Sequence, residues 1–200
     1  MTRAWLRCVA VAGFLALAAC APVRVRETPA ALAEQGAREA QLAARTTWSL
    51  SAHIFVSDGA DNNGSGDLEW RQAGERYDFT LRAPTGKTWK LSGDDRHAVL
   101  EGVDAQPVQG VDAEQLLHER LGWEVPVADL SSWVRGLRRP EQQAALQFDE
   151  LNRPATLDQD GWKIEYRDWF ADMNPPLPRK VFASRGAARV KMAIERWSFQ

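Results

Sequence analysis

His53, His97 and His118 are the side chains best suited to hold a metal or move a proton near neutral pH. They are widely spaced and form no HExxH or comparable ligand run. His53 falls on the polar side of an alternating stretch, so each histidine reads as a surface residue. Asp94 and Asp95 form an acidic pair, but they sit in the turn-forming segment GDDR and read as solvated turn residues. Ser184 and Ser198 lack the strand-to-helix elbow of a hydrolase nucleophile. No glycine-rich loop follows a strand and opens a helix, so nucleotide binding has no support. The reading is therefore no enzyme, with no catalytic residue, no metal and no cofactor.

The cysteines point to a different chemistry. Cys8 and Cys20 lie near the start, and no cysteine follows. That excludes an intrachain disulfide framework or a thiolate metal site in the rest of the chain. Residues 1–19 have the parts of an export signal: Arg3 and Arg7, an apolar run from Val9 to Leu17, then small residues. The apolar run is shorter than the roughly 20 residues that span a bilayer. Leu17-Ala18-Ala19-Cys20 resembles a bacterial lipobox, which implies lipidation of Cys20 and cleavage before it. Several acyl chains on one residue make a firm anchor, where one chain holds only marginally. Position 21 is Ala rather than Asp, which favours the outer membrane, on its periplasmic face.

The expected organisation is a signal peptide over 1–19, a lipidated tether over 20–28 and one domain over 29–200. The 200-residue chain carries a net charge of -2. Removing Arg3 and Arg7 with the signal makes it more acidic, and no nucleic-acid partner is expected. Nine tryptophans and an apolar fraction of 44% support a sizeable core, and a monomer is expected.

The elements follow from periodicity. Thr28-Pro29 starts a helix that the Ala-, Glu-, Gln- and Leu-rich residues 30–44 continue. From Trp48 the period becomes two: Trp48, Leu50, Ala52, Ile54 and Val56 share one face. Residues 57–66 read as a flexible turn. Short strands then recur around Leu68 and Trp70, Tyr77 to Leu81, Trp89 and Leu91, and Ala98 to Leu100. Two helices interrupt them, one from Asp112 to Leu121 stopped by Gly122, the other from Pro126 to Arg135 closed by Gly136. Strands resume at Leu146 and Phe148, Thr156 to Gln159, Trp162 to Tyr166, Lys180 to Ser184 and Arg189 to Trp197, with Asp160-Gly161 a strong hairpin signal. Connections this short exclude βαβ crossovers and predict an antiparallel meander with the helices covering one face.

A curved sheet with a partly filled concave face forms an apolar cavity. Trp70, Tyr77, Phe79, Trp89, Trp162 and Tyr166 are the candidates for its wall from the strands. Leu117, Leu121 and Trp133 are the candidates from the helices.

These residues, taken in order, resemble the LolB family of outer-membrane lipoprotein receptors in Gram-negative bacteria. The matching pieces are Trp48-x-Leu50-x-Ala52-x-Ile54, Leu68-x-Trp70, and Tyr77-x-Phe79-x-Leu81-x-x-Pro84. Further along come Leu116-Leu117 with Leu121-Gly122, then Pro126-Val127-x-x-Leu130-x-x-Trp133-x-x-Gly136. The last are Gln159-x-Gly161-Trp162-x-Ile164-x-Tyr166, Leu177-Pro178-x-Lys180, and Val190-x-Met192-x-Ile194-x-x-Trp197. They run through nearly the whole chain after the lipobox. The resemblance implies a mainly β fold with an α lid: an unclosed antiparallel β-barrel of about eleven strands around the apolar cavity. It implies that lipoproteins arrive from the soluble periplasmic carrier LolA, that their acyl chains enter the cavity, and that they pass into the inner leaflet of the outer membrane without nucleotide hydrolysis. The family's protruding loop, Pro, apolar residue, Gly, corresponds to Pro84-Thr85-Gly86. Thr85 departs from the pattern and makes a weaker membrane-insertion tip. Other readings are an envelope scaffold with a filled core, a sensor of lipid or lipoprotein load, and a lipid-anchored enzyme with a polar cleft.

Overall fold

The structure, a computed structural model, describes residues 28–59 and 62–200. Cys20, the expected signal peptide and most of the expected tether lie outside the described residues.

Helix α1 spans Pro29–Ala43, with the Thr28 side chain accepting a hydrogen bond from the Ala31 amide at 3.1 Å. That is the N-cap arrangement the Thr-Pro pair predicts. The chain then enters β1 (Thr47–Ser57), β2 (Asn63–Ala73), β3 (Arg76–Arg82), β4 (Thr88–Gly93), β5 (Ala98–Glu101) and β6 (Val108–Gly110). Two helices follow, α2 (Ala113–Leu121) and α3 (Val127–Trp133). The remaining strands are β7 (Ala144–Phe148), β8 (Pro154–Gln159), β9 (Trp162–Phe170), β10 (Leu177–Arg185) and β11 (Ala188–Phe199).

All eleven strands form one antiparallel sheet in the order β6-β5-β4-β3-β2-β1-β11-β10-β9-β8-β7. It is a double meander, joined in the middle by β1 and β11. Strands β6 and β7 are its two edges, so the barrel is unclosed. This topology dictates the roof. The chain leaves β6 at one edge and must reach β7 at the other, so α2 and α3 cross the concave face between them.

Register aligns the inward side chains into continuous rows. One runs Leu50, Trp70, Phe79, Leu91, Leu100 and Val108 from β1 to β6. Another runs Val190, Ala183, Ile164, Leu157 and Leu146 from β11 to β7. Adjacent same-face residues on paired strands are the unit of sheet stabilisation. The convex face carries the polar partners, such as His53 Nδ1 at 3.2 Å from Asp67 Oδ1, both exposed.

Three expectations change. The turn expected over 57–66 is shorter, because Ser57 already pairs with Asn63 and β2 includes Gly64 and Gly66. The reason is close approach: a methyl group on Gly64 would lie 2.2 Å from Trp123, and one on Gly66 2.2 Å from the Arg82 carbonyl oxygen. Strand β6 was not visible in the sequence, since three residues cannot show an alternation. The second lid helix, expected to reach Arg135, ends at Trp133 and continues as a turn to Gly136, whose φ is 71°. By contrast α2 keeps both expected ends: Asp112 accepts from the Glu114 amide at 2.7 Å, and Gly122 is left-handed with φ 69°.

Candidate functional site, an apolar hollow under a lid

The concave face is covered unevenly. Over β1–β5 a hollow remains. Its floor is Ile54, Val56, Leu68, Trp70, Phe79, Leu81, Trp89, Leu91, Leu100 and Met192, and its roof is Leu117, Leu121, Trp123, Val125, Val127 and Leu130. No lining side chain is charged. The free space is about 70 Å³, which holds about five water-sized groups. A long acyl chain needs more, so the roof must move to admit one.

Of the wall residues expected from the sequence, the structure brings together Trp70, Phe79, Trp89, Leu117 and Leu121 around this space. Tyr77, Trp133, Trp162 and Tyr166 do not line it. Tyr77 is inward on β3 but lies beyond Phe79, at 5.4 Å between ring centroids. Its hydroxyl lies against Gly93, where a methyl group would sit 2.7 Å away. Burial raises its pKa to about 12, with Asp94 and Asp112 adding to the rise. Trp133, the last residue of α3, packs on Trp162 of β9 at 6.1 Å between ring centroids. Tyr166 packs on Trp169 at 5.6 Å and is buried, which pushes its pKa up. They do not reach the hollow because, in the half of the sheet from β7 to β11, Trp133 fills the space over Trp162, and Tyr166 borders a separate, polar cleft with Glu165, Arg153 and Asp168.

The covering of that second half is polar and directional. Arg38 of α1 donates to the carbonyl oxygens of Gly136 at 2.7 Å and Pro176 at 2.9 Å, and also to Arg135. Arg135 donates back to Leu42 at 3.1 Å. Burial lowers both guanidinium pKa values to about 10, with lesser opposing pulls on Arg38. Glu39 receives two hydrogen bonds from the Arg138 guanidinium, at 2.7 and 2.8 Å. Burial pushes its carboxyl up, but the bonds from Arg138 and Gln35 outweigh that and hold it below the usual range. Trp133 Nε1 donates to Gln159 Oε1 at 3.0 Å, while Gln159 Nε2 donates to the Arg139 carbonyl at 2.9 Å. Arg139 also pairs with Asp129.

Helix α2 is held differently. Among the described residues its side chains make no hydrogen bond to the strands beneath. Its ion pair is Arg120 with Asp104 at 3.5 Å, both substantially exposed, and the following segment adds Glu124 with Arg185 at 3.5 Å. Such exposed pairs contribute about 0–1 kcal/mol. Glu114 accepts from the Ala128 amide of α3, which ties the two lid helices to each other rather than to the sheet. The roof is thus held to the floor mainly by apolar contact.

Sequence reasoning missed Trp123, the largest side chain of the roof. It follows Gly122 in a stretch without periodicity. Its trace in the sequence was Gly64, a glycine in a strand register that marks a close neighbour.

The expected insertion loop is a tight hairpin connection between β3 and β4. The Gly86 amide donates to the Ala83 carbonyl at 2.9 Å, the Ala83 amide donates to the Lys87 carbonyl at 2.8 Å, and Gly86 has φ 84°. This is a type I turn closed by a left-handed glycine, and it leaves Pro84, Thr85 and Gly86 exposed at the tip. Lys87 holds its ammonium 5.3 Å from the Trp89 ring centroid, so the loop adjoins the hollow's wall.

The chain has clear relatives. The family model "Outer membrane lipoprotein LolB" matches residues 46–197. The chain is 41% identical to "Outer-membrane lipoprotein LolB" of Xanthomonas campestris pv. campestris strain B100, over 82% of this chain and 78% of the relative. It is 38% identical to the protein of the same name from Xanthomonas euvesicatoria pv. vesicatoria, over 99% of each. Among solved structures, a LolA superfamily protein from Nitrosomonas europaea superimposes with a TM-score of 0.51 at 8% identity, covering 78% of this chain and 87% of the other. That last likeness concerns the fold.

Proposed function

We propose a mechanism of cargo handover for this chain, which belongs to the LolB family and is an outer-membrane lipoprotein receptor of the LolB type. The hollow shelters the acyl chains of an arriving lipoprotein, and LolA is the carrier that delivers it. The observation that carries this reading is a hollow with no charged lining side chain, whose roof residues face its floor through apolar side chains. Each CH₂ moved out of water is worth about 0.8 kcal/mol. A receptor can supply that burial and still release its cargo if its own closed state already buries much of the same wall. Ligand then replaces Leu117, Leu121 and Trp123 against the floor instead of filling an empty space. The net affinity is the difference between two apolar contacts. Direction follows from affinity: cargo moves to whichever protein holds it more tightly, with no nucleotide spent.

Lipid at Cys20, at the end of the 20–28 tether, would keep the domain at the membrane. The exposed tip at Pro84, Thr85 and Gly86, next to the hollow's wall, would meet the inner leaflet as cargo leaves. The test mixes a lipid-free form beginning at Thr28 with LolA loaded with a lipoprotein, without ATP. Cargo should move to this protein. Cargo that stays on LolA would overturn the reading.

A further inference from the structure

The wall of the hollow is carbon and one methionine sulfur, apart from the indole nitrogens of Trp70, Trp89 and Trp123. Trp70 Nε1 donates to Gln72 Oε1 at 2.9 Å. Trp89 Nε1 is buried and has no acceptor. The other buried side-chain atoms left unpaired among the described residues, on Gln35, Tyr77, Trp162 and Tyr166, belong to residues outside the hollow.

Trp89 stands on β4 just after the 83–87 loop, and its ring meets Trp123 of the roof at 5.8 Å and 77°. A ring face is a weak acceptor beside a carbonyl oxygen. The closed state therefore covers a strong donor and gives it nothing comparable to bond. An unmade hydrogen bond of this kind is costly, and a ligand that supplies the acceptor recovers it without breaking another bond. Hydrocarbon alone supplies none.

We infer that Trp89 Nε1 is a polar anchor for cargo, donating to the carbonyl oxygen of a fatty-acyl ester. This rests on the acyl-chain reading above and adds a specificity to it. Hydrocarbon beyond the carbonyl lies along Leu91 and Phe79, which share the inward face with Trp89. The headgroup end lies toward Lys87. Trp89 thus sets how deep the chain enters, and it separates acylated ligands from bare hydrocarbon.

The test uses the Cys20→Ser chain, which lacks the anchor thiol, titrated with two probes. One is S-dipalmitoylglyceryl-cysteine. The other is its dialkyl ether analogue, of matching chain length but without carbonyls. The unsubstituted pocket should bind the ester about fivefold more tightly, and the Trp89 indole proton should shift on adding the ester and not the ether. Trp89→Phe should bind the two probes alike, whereas Trp162→Phe, which removes an unpaired indole outside the hollow, should keep the preference. Equal binding of the probes by the Trp89 form, or a preference that survives Trp89→Phe, would overturn the inference and leave the acyl-chain reading standing. Failure to bind either probe would overturn both.

Discussion

The two halves of the sheet carry similar inward rows and end in different states. Between β7 and β11, Ile164 and Leu157 are 0% exposed, and Trp133 above them is 0% exposed with its indole bonded to Gln159. Arg38 and Arg135 lace α1 and the turn after α3 together, and Arg38 also bonds the Pro176 carbonyl just before β10. Between β1 and β6, the row through Trp70, Phe79 and Leu91 faces a roof whose ion pairs outside α3, among the described residues, are the exposed Arg120–Asp104 and Glu124–Arg185, with free space beneath it. Hydrogen bonds fix one geometry, because they weaken steeply as angle and distance change. Apolar contact is non-directional and tolerates an exchange of partners. In the proposed handover, a region that stays shut is stapled by polar bonds, and a region that admits hydrocarbon is held by contacts that hydrocarbon can replace.

The contrast can be broken most severely at Trp133. Trp133→Ala should cost about 3–5 kcal/mol in urea unfolding, since it empties a filled site and orphans Gln159. Leu121→Ala in the roof, beside existing free space, should cost less than half as much in the same measurement. Similar costs would mean that the two covers are equally fixed.

Enlarging a floor residue sharpens the comparison. Ile164→Phe should destabilise by about 1–3 kcal/mol through overpacking. Leu91→Phe points into the free space and should change stability by under about 1 kcal/mol, yet it should reduce acyl-chain binding. Denaturation and ligand titration of both variants read the two effects. Native-state hydrogen exchange gives the same contrast in time: amides of α2 should exchange through smaller openings than those in the last turn of α3.

Glu114 offers a pH lever on the lid. Burial first, then Asp112 and Asp129, raise its pKa from 4.5 to about 7, against the pull of the Ala128 amide and Arg185. Between those values the folded chain keeps a proton that the unfolded chain has lost. Its stabilising contribution is full below 4.5 and is lost as pH rises through 7. Glu114→Gln should remove that slope and gain up to about 1 kcal/mol at pH 8, a figure discounted because the carboxyl is only half-buried. Thermal melts across the pH range measure it. The smallest effect belongs to the loop tip. Thr85→Leu should speed lipoprotein incorporation into liposomes by about threefold, and Thr85→Asp should slow it. Equal rates would remove the loop from the mechanism.

Much of this is legible in the sequence. Alternation gave the face of each long strand, because side-chain direction has a period of two wherever one face is buried. Asp112 with Gly122 and Thr28 with Pro29 marked helix ends, because capping is local chemistry. Asp160 and Gly161, with φ 49° and 72°, set the β8–β9 hairpin for the same reason. What local pattern did not reach were placements that depend on distant partners. Trp133, Trp162 and Tyr166 have the types and faces of cavity residues, and nothing near them in the sequence says that Trp133 packs on Trp162 or that Arg38 of α1 lies over Trp169 beside Tyr166.

The residues alone determined that strands alternate, that helices interrupt them and where the turns fall, since each depends on neighbours a few positions away. Which half of the concave face stays hollow was decided only in three dimensions. That outcome turns on Arg38 reaching Gly136 and Pro176, and on Trp123 lying over Gly64, contacts between residues far apart in the chain. Local patterning says which side chains turn inward; only the packed fold says whether anything meets them there.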